Sequence, residues 1–176
     1  MNELIDTHAH LNSPRFYKRV YEILKRSEEA GIGSILVVGY DLKNSQEAVQ
    51  LAKQYQNLYA AVGLHPSDVH DGKEFNLEDY KRLLSPENKV IAIGEVGLDY
   101  YRSPKNKKEQ IMVLEAFLNL AREVKLPLIL HIRDAYQDTF MVLEQEKDLP
   151  YLIFHCCSLS FSSEQEGNTL RACFYS

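Results

Sequence analysis

The chain has 176 residues, of which 45% are hydrophobic, so it is long enough to form one domain with a substantial core. This composition excludes a disordered chain, and the longest apolar runs, residues 34–39 and 126–130, are too short to span a bilayer. The formal net charge of −5 argues against binding nucleic acid through a broad basic surface, although bound metal ions can supply local positive charge.

The N-terminal residues contain no basic segment followed by a long apolar stretch, so we expect no signal peptide and a cytoplasmic location. The three cysteines are odd in number and have no C-x-x-C spacing, which argues against a disulfide framework or a structural zinc site.

Short apolar runs alternate with longer amphipathic segments along the chain. The runs predict six strands, over residues 4–7, 34–38, 58–62, 90–93, 128–130 and 151–154. The spacing of apolar residues predicts helices between them, over residues 15–30, 44–55, 76–84, 105–124 and 135–145. Repeated strand–helix–strand units indicate parallel strands joined by crossover helices.

A doubly wound sheet and a barrel both fit this alternation. No G-x-G-x-x-G follows the first strand, which disfavours a dinucleotide-binding sheet. A barrel predicts that reactive residues follow the carboxyl ends of several strands, and histidine and glutamate residues fall there. We therefore predict an α/β fold, a TIM-type (β/α) barrel that is incomplete, with about six of eight β/α units. We expect one domain over residues 1–176, in which the barrel pattern is recognisable over 1–157. The tail over 158–176 is atypical and is expected to contain no seventh strand.

His8 and His10 follow the first predicted strand and are two residues apart. Because side chains alternate along a strand, both imidazoles can point at one ion. Asp6 lies on the same face as His8, where its carboxylate is placed to orient an imidazole. An H-x-H pair is a weak signal by itself, since chance pairs are common.

His131 and His155 end the fifth and sixth predicted strands, each after three apolar residues. Either one alone is more often a core or surface histidine than a ligand, but the strands of one barrel end on the same rim. Glu95 follows a buried run, where an ionised carboxylate is costly unless it pairs with Lys or Arg or binds a metal. With four histidines on that rim, a carboxylate bridging two cations is the better interpretation. Mixed imidazole and carboxylate ligands suit several metals.

Four segments then form a pattern, residues 5–11 (IDTHAHL), 62–66 (VGLHP), 93–100 (IGEVGLDY) and 127–135 (PLILHIRDA). In content and order they resemble the signature blocks of the TatD family of metal-dependent deoxyribonucleases. Gln110, Leu120 and Ala121 also match the family pattern in the fourth helix.

This resemblance implies a hydrolase that cleaves phosphodiester bonds of DNA with two divalent ions, Mg, Mn or Zn. It implies that His8 and His10 hold one ion, that His131 and His155 hold the second, and that Glu95 bridges both as the catalytic carboxylate. Two such ions would acidify a water and clamp the attacking and leaving oxygens.

The resemblance also implies residues outside the ligand set. His65 and Arg133 would lie near the substrate phosphate, and Asp99 would belong to the rim. From the residues alone, His65 fits equally well as a turn residue before Pro66, and Arg133 as a partner of Asp134 or Glu95.

The family pattern has a further metal-binding aspartate after the eighth strand, whereas Asp148 is the last aspartate here. We therefore expect a C-terminally truncated chain with weakened metal binding and hydrolysis, and self-association through the open barrel edge. We expect DNA as the substrate and no association with a membrane. Two alternatives stay open, an amidohydrolase-like enzyme acting on a small molecule and a non-catalytic metal-binding fragment.

Overall fold

One parallel sheet runs through the computed structural model of the chain, which describes residues 4–70, 75–146, 148, 150–155 and 172–175, the last four by their backbone alone. The strands are β1 (Leu4–Ala9), β2 (Ile32–Val38), β3 (Leu58–Val62), β4 (Val90–Asp99), β5 (Leu128–Arg133), β6 (Leu152–His155) and β7 (Ala172–Tyr175). Each strand pairs with the next one in the sequence, and every pairing is parallel. Such sequential order is what right-handed β/α crossovers produce.

Helices connect the first six strands. They are α1 (Val20–Glu29), α2 (Leu42–Gln54), α3 (Leu77–Lys81), α4 (Lys107–Val124) and α5 (Tyr136–Gln145). Short 3₁₀ turns cover Tyr17–Arg19, Pro66–Asp68 and Pro86–Asn88. Among the described residues, no helix is both long and apolar enough to cross a membrane.

The two faces of the sheet form two apolar layers. In β5, Leu128, Leu130 and Ile132 belong to the large core that also contains the buried faces of the helices. Ile129, between them, belongs to a smaller cluster with residues such as Leu36 and Ala92 on the opposite, concave face. His131 shares that face with Ile129 because side chains alternate along a strand. The alternation therefore directs the strand-end histidines toward the inside of the curved sheet.

Most predicted elements are present, with differences at their ends. The third strand has the predicted bounds. Helix α2 starts two residues earlier than predicted, because the Asp41 carboxylate accepts a hydrogen bond from the Asn44 amide and caps the helix. Helix α1 starts later than predicted, after the 3₁₀ turn Tyr17–Arg19.

The prediction that the tail contains no strand was wrong. Residues Ala172–Tyr175 form β7, which pairs in parallel with β6. A run of four residues is too short to show a clear period, and the unpaired edge of β6, a tertiary feature, provides its hydrogen-bonding partner. The rest of the predicted tail, residues 158–171 and 176, lies outside the described residues.

Candidate metal centre

One buried carboxylate, that of Glu95, lies at the centre of the concave face with only 3% of its surface exposed. Five imidazole nitrogens surround it at the carboxyl ends of the strands. They are His131 Nδ1 at 2.9 Å, His8 Nε2 at 3.4 Å, His155 Nε2 at 3.8 Å, His10 Nε2 at 3.9 Å and His65 Nε2 at 3.9 Å. Six of the seven predicted site residues therefore meet here, although they come from five different segments of the chain.

The two carboxylate oxygens of Glu95 face different histidines. Oε2 faces His8 and His10, both from the end of β1. Oε1 faces His131 and His155, from β5 and β6, and also His65, which follows β3. This division places one carboxylate oxygen on each side of the site.

Strand β4 is distorted where it presents Glu95. Its register with β5 shifts between Ile93 and Val96, and the Glu95 amide donates to the carbonyl of Gly39. Gly97 has a φ of +144°, and a Cβ on it would overlap the carbonyl oxygen of His131. Only glycine fits this conformation and this close approach, which keeps β4 against β5 beside the site.

The two histidines of β1 are held by backbone groups. His10 Nδ1 donates to the carbonyl of Val38 at 3.0 Å, so the lone pair of its neutral ring lies on Nε2, toward Glu95. His8 Nε2 is buried and, within the described part of the chain, forms no hydrogen bond. The Asp6 carboxylate accepts a hydrogen bond from the His8 backbone amide at 3.0 Å. It therefore fixes the end of the strand, whereas the sequence predicted that it would orient an imidazole.

His131 lies between two carboxylates. Its Nδ1 is 2.9 Å from Glu95 Oε1 and its Nε2 is 3.2 Å from Asp99 Oδ2. Asp99 is fully buried at the end of β4, where its backbone amide donates to the Gln110 side chain of α4. A protonated ring satisfies both carboxylates, whereas a neutral ring satisfies one and leaves a lone pair facing the other.

His65 differs from the other four histidines. Its Nδ1 accepts a hydrogen bond from the Ser67 amide at 3.1 Å, as the cap of the 3₁₀ turn Pro66–Asp68. Burial lowers the pKa of His65 to about 4, so its ring is neutral near pH 7. Because Nδ1 is an acceptor, the proton lies on Nε2, which points a donor at the site. The turn role and the site role considered from the sequence therefore coexist in this residue.

Burial also lowers the pKa of His10 and of His155. Burial alone would raise the pKa of Glu95, but its contacts with His131 and His8 and the nearby His65 outweigh that effect and lower it. An ionised Glu95 beside neutral rings at His10 and His155 is a protonation state that suits a divalent cation.

The donor set fits a metal ion. Two groups, His8–Glu95–His155 and His65–Glu95–His131, have ligand atoms within 4.8 Å of one another. The lone pair that His10 Nε2 turns toward Oε2 is unfavourable opposite a carboxylate unless a cation lies between them. His65 turns a proton and not a lone pair toward the site, so the carboxylate oxygens divide the available ligands into His8 with His10 and His131 with His155.

An open cavity of about 210 Å³ adjoins the centre. It is lined by His10, Tyr40, His65, Ser67, Asp68, Glu95 and Arg102. Arg133, predicted to contact phosphate, does not line it, and its guanidinium lies 4.0 Å from the centre of the Tyr101 ring. Sequence reasoning missed Tyr40 and Arg102, although both follow strand ends, as active residues of barrels do. A larger open cavity, of about 370 Å³, lies at Tyr100, Lys107 and residues 134–138 and contains none of the predicted site residues.

Residues 5–175 match the family described as "TatD related DNase". The chain belongs to the TatD family. Among its relatives is "Uncharacterized metal-dependent hydrolase YabD" of Bacillus subtilis, 37% identical over 98% of this chain and 67% of the relative. Another is "3'-5' ssDNA/RNA exonuclease TatD" of Shigella flexneri, 33% identical over 87% of this chain and 59% of the relative. The chain thus spans about three fifths to two thirds of the length of these TatD-family relatives.

A solved TatD homologue has the same architecture. The crystal structure of YjjV from Escherichia coli superposes with a TM-score of 0.81 at 36% identity, covering 89% of this chain and 61% of that one. The prediction of an incomplete TIM-type barrel is therefore confirmed, as is membership of a metal-dependent hydrolase family.

Proposed function

We propose that this chain carries the active centre of a metal-dependent hydrolase that cleaves phosphodiester bonds of single-stranded DNA or RNA. The observation that carries the proposal is the buried Glu95 carboxylate with five imidazole nitrogens between 2.9 and 3.9 Å from it. The family membership and the name of the Shigella flexneri relative support the reaction class and the substrate.

In this proposal the centre would take two divalent ions, Mg, Mn or Zn, which Glu95 and four histidines would hold. The side of Oε2 offers His8 and His10 as ligands, and the side of Oε1 offers His131 and His155. Divalent ions bound there supply Lewis acidity, which makes a water nucleophilic near pH 7 and neutralises charge on the phosphate.

The residues of the chain have distinct roles in this proposal. Glu95 stays ionised because its pKa is lowered, and it holds the ligand histidines around one point. His65 donates its Nε2 proton toward a phosphate oxygen from the cavity wall. Asp99 orients the His131 ring through Nε2. Arg133 would contribute charge near the substrate, from its position on Tyr101.

The test is a pair of measurements on the purified chain. Metal uptake is measured by calorimetric titration with Mn²⁺ and Zn²⁺, and hydrolysis is measured on a labelled single-stranded DNA. Metal-dependent cleavage that Glu95→Gln abolishes supports the proposal. Cleavage of cyclic amides without cleavage of DNA would instead support a small-molecule amidohydrolase, and metal uptake without any turnover would support a non-catalytic metal-binding chain.

We further propose that copies of the chain associate through the outer edge of β1, which has a partner strand on one side only in the described sheet. Leu4 and Ile5 on this edge strand are 60% and 65% exposed. Exposed apolar edge strands are prone to pair with other chains. Light scattering during size-exclusion chromatography should give a mass above 20.3 kDa that falls toward it in Leu4→Lys.

A further inference from the structure

The turn that follows β4 is fixed above the cavity of the metal centre. The Arg102 amide donates to Asp99 Oδ1 at 2.8 Å, and the Gln110 side chain donates to the Ser103 carbonyl at 2.8 Å. Asp99 also contacts the imidazole of His131. The same carboxylate therefore links the backbone of this turn to the centre, which gives the turn a defined position relative to Glu95.

Arg102 brings a cation into the cavity wall. It lines the 210 Å³ cavity together with His65 and Glu95, and its charge contributes to lowering the pKa of His65. Within the part of the chain that the structure describes, its guanidinium forms no ion pair, whereas Arg82 pairs with Asp79 at 2.7 Å. Asp68 lines the same cavity. An unpaired guanidinium beside a donor histidine suits a phosphate, which it can bind with two parallel hydrogen bonds.

Tyr101, the preceding residue, presents an aromatic surface to solvent. Its side chain is 63% exposed, and the Arg133 guanidinium lies over its ring at 4.0 Å. Arg133 ends β5, two residues beyond His131, so the stacked pair is attached to the same strand as the centre. An exposed ring supported by an arginine is the kind of surface on which bases of single strands stack.

We propose that Tyr101 and Arg102 form a nucleotide subsite beside the metal centre, in which Arg102 binds a substrate phosphate and Tyr101 stacks on the adjoining base. This inference rests on the proposed function, because it names how the same centre holds a single-stranded nucleic acid. In this subsite Arg133 supports the Tyr101 ring from one side, and Arg102 is the residue that binds a substrate phosphate in the cavity.

The subsite is tested by binding, independently of turnover. Fluorescence anisotropy measures the affinity of the full chain, with Ca²⁺ present, for a short labelled oligothymidylate and for an oligomer of equal length with abasic sugars. Tyr101→Ala should weaken binding of the oligothymidylate by about 10-fold and leave the abasic oligomer unchanged. Tyr101→Phe should bind both oligomers as the unmodified chain does.

Arg102→Ala should weaken the binding of both oligomers alike. It should also reduce the magnitude of the slope of log affinity against log salt concentration by about 0.7. The matched controls are Tyr21→Ala on α1, where the tyrosine is 73% exposed, and Arg82→Ala at the residue that follows α3. Both controls should retain the affinity and the salt dependence of the unmodified chain.

The outcomes separate the two proposals. If the unmodified chain binds oligothymidylate and Tyr101→Ala weakens both oligomers equally, or Arg102→Ala behaves like Arg82→Ala, the subsite is overturned and the proposed function stands. If the unmodified chain neither binds nor cleaves single-stranded nucleic acid, the proposed function fails and the subsite fails with it.

Discussion

The imidazole rings of His8 and His155 stack face to face, with centroids 3.8 Å apart and planes inclined by 8°. These residues lie at the ends of β1 and β6, which are not neighbours in the sheet, so the contact exists only because the sheet curls. Two protonated rings at this distance would repel each other, and burial and the charge of His8 lower the pKa of His155. The stack is therefore compatible with metal binding and disfavours protonation.

Glu95→Gln should lower the affinity for Mn²⁺ and Zn²⁺ by more than about 100-fold, the upper loss seen for residues that only orient a ligand. The amide has nearly the size of the carboxylate but lacks the charge that both groups of histidines face. Calorimetric titration measures the affinity, with circular dichroism to check the fold. Glu28→Gln, at an exposed position of α1, is the control and should bind as the unmodified chain does. Equal affinity in Glu95→Gln would contradict the assignment of the centre.

Asp99→Ala should lower metal affinity by about 10- to 100-fold, because it frees the His131 ring and the turn anchored at the Arg102 amide. Asp99→Asn should bind metal no more tightly than Asp99→Ala. The asparagine amide can donate to His131 Nε2, which places the ring proton on Nδ1, toward Glu95. Asp134→Asn, at an exposed residue just beyond β5, serves as the control. Metal titration decides the matter, and wild-type affinity in Asp99→Ala would remove Asp99 from the centre.

Two glycines with positive φ provide a matched pair for stability. Gly31→Ala, at φ +85° with no atom of the described residues within 4 Å of the added Cβ, should lower the free energy of unfolding by about 1 kcal/mol. Gly97→Ala combines backbone strain with a steric overlap at His131 and should cost about 3 kcal/mol or more. Urea unfolding of the metal-free chains measures both values. Equal losses would mean that β4 and β5 separate easily beside the centre.

Metal-free stability should fall as the pH is lowered from about 7 to about 5. The pKa of His65 is lowered to about 4 in the folded chain, so between pH 6.5 and that value the unfolded chain binds more protons. Stability therefore decreases with falling pH, by about 2 kcal/mol from His65 over this range. The lowered pKa values of His10 and His155 act in the same direction. Glu95, whose pKa is also lowered, contributes stability that is lost only at more acidic pH.

Urea unfolding at a series of pH values, with a chelator present, measures this dependence. His65→Gln should have a shallower dependence than the unmodified chain, because one of the three groups is removed. His70→Gln, at an exposed histidine outside the centre, should leave the dependence unchanged. A stability that is constant or rises on acidification would contradict the neutral state of the buried histidines.

The sequence predicted the strand–helix alternation and the rim residues because both follow from local patterns. Alternation along β5 is sufficient to place His131 on the concave face with Ile129. The sequence did not predict that β4 extends as far as Asp99, because glycines in a sequence usually indicate a turn. In the structure, pairing with β5 keeps this segment extended. Similarly, Asp99 and Arg102 act through tertiary contacts with His131 and the cavity, which no local spacing encodes.

The curl that joins His8 to His155 also determines when in folding the centre can exist. Contacts between residues so far apart in sequence form late in folding. The chain between them must first lose conformational entropy, and only then does the contact stabilise the structure. A folding intermediate that lacks β6 would contain the histidines of β1 without their stacking partner. Binding of an ion that needs His155 would therefore mark chains in which β6 has joined the sheet, and such an ion would stabilise the chain by favouring that closed state.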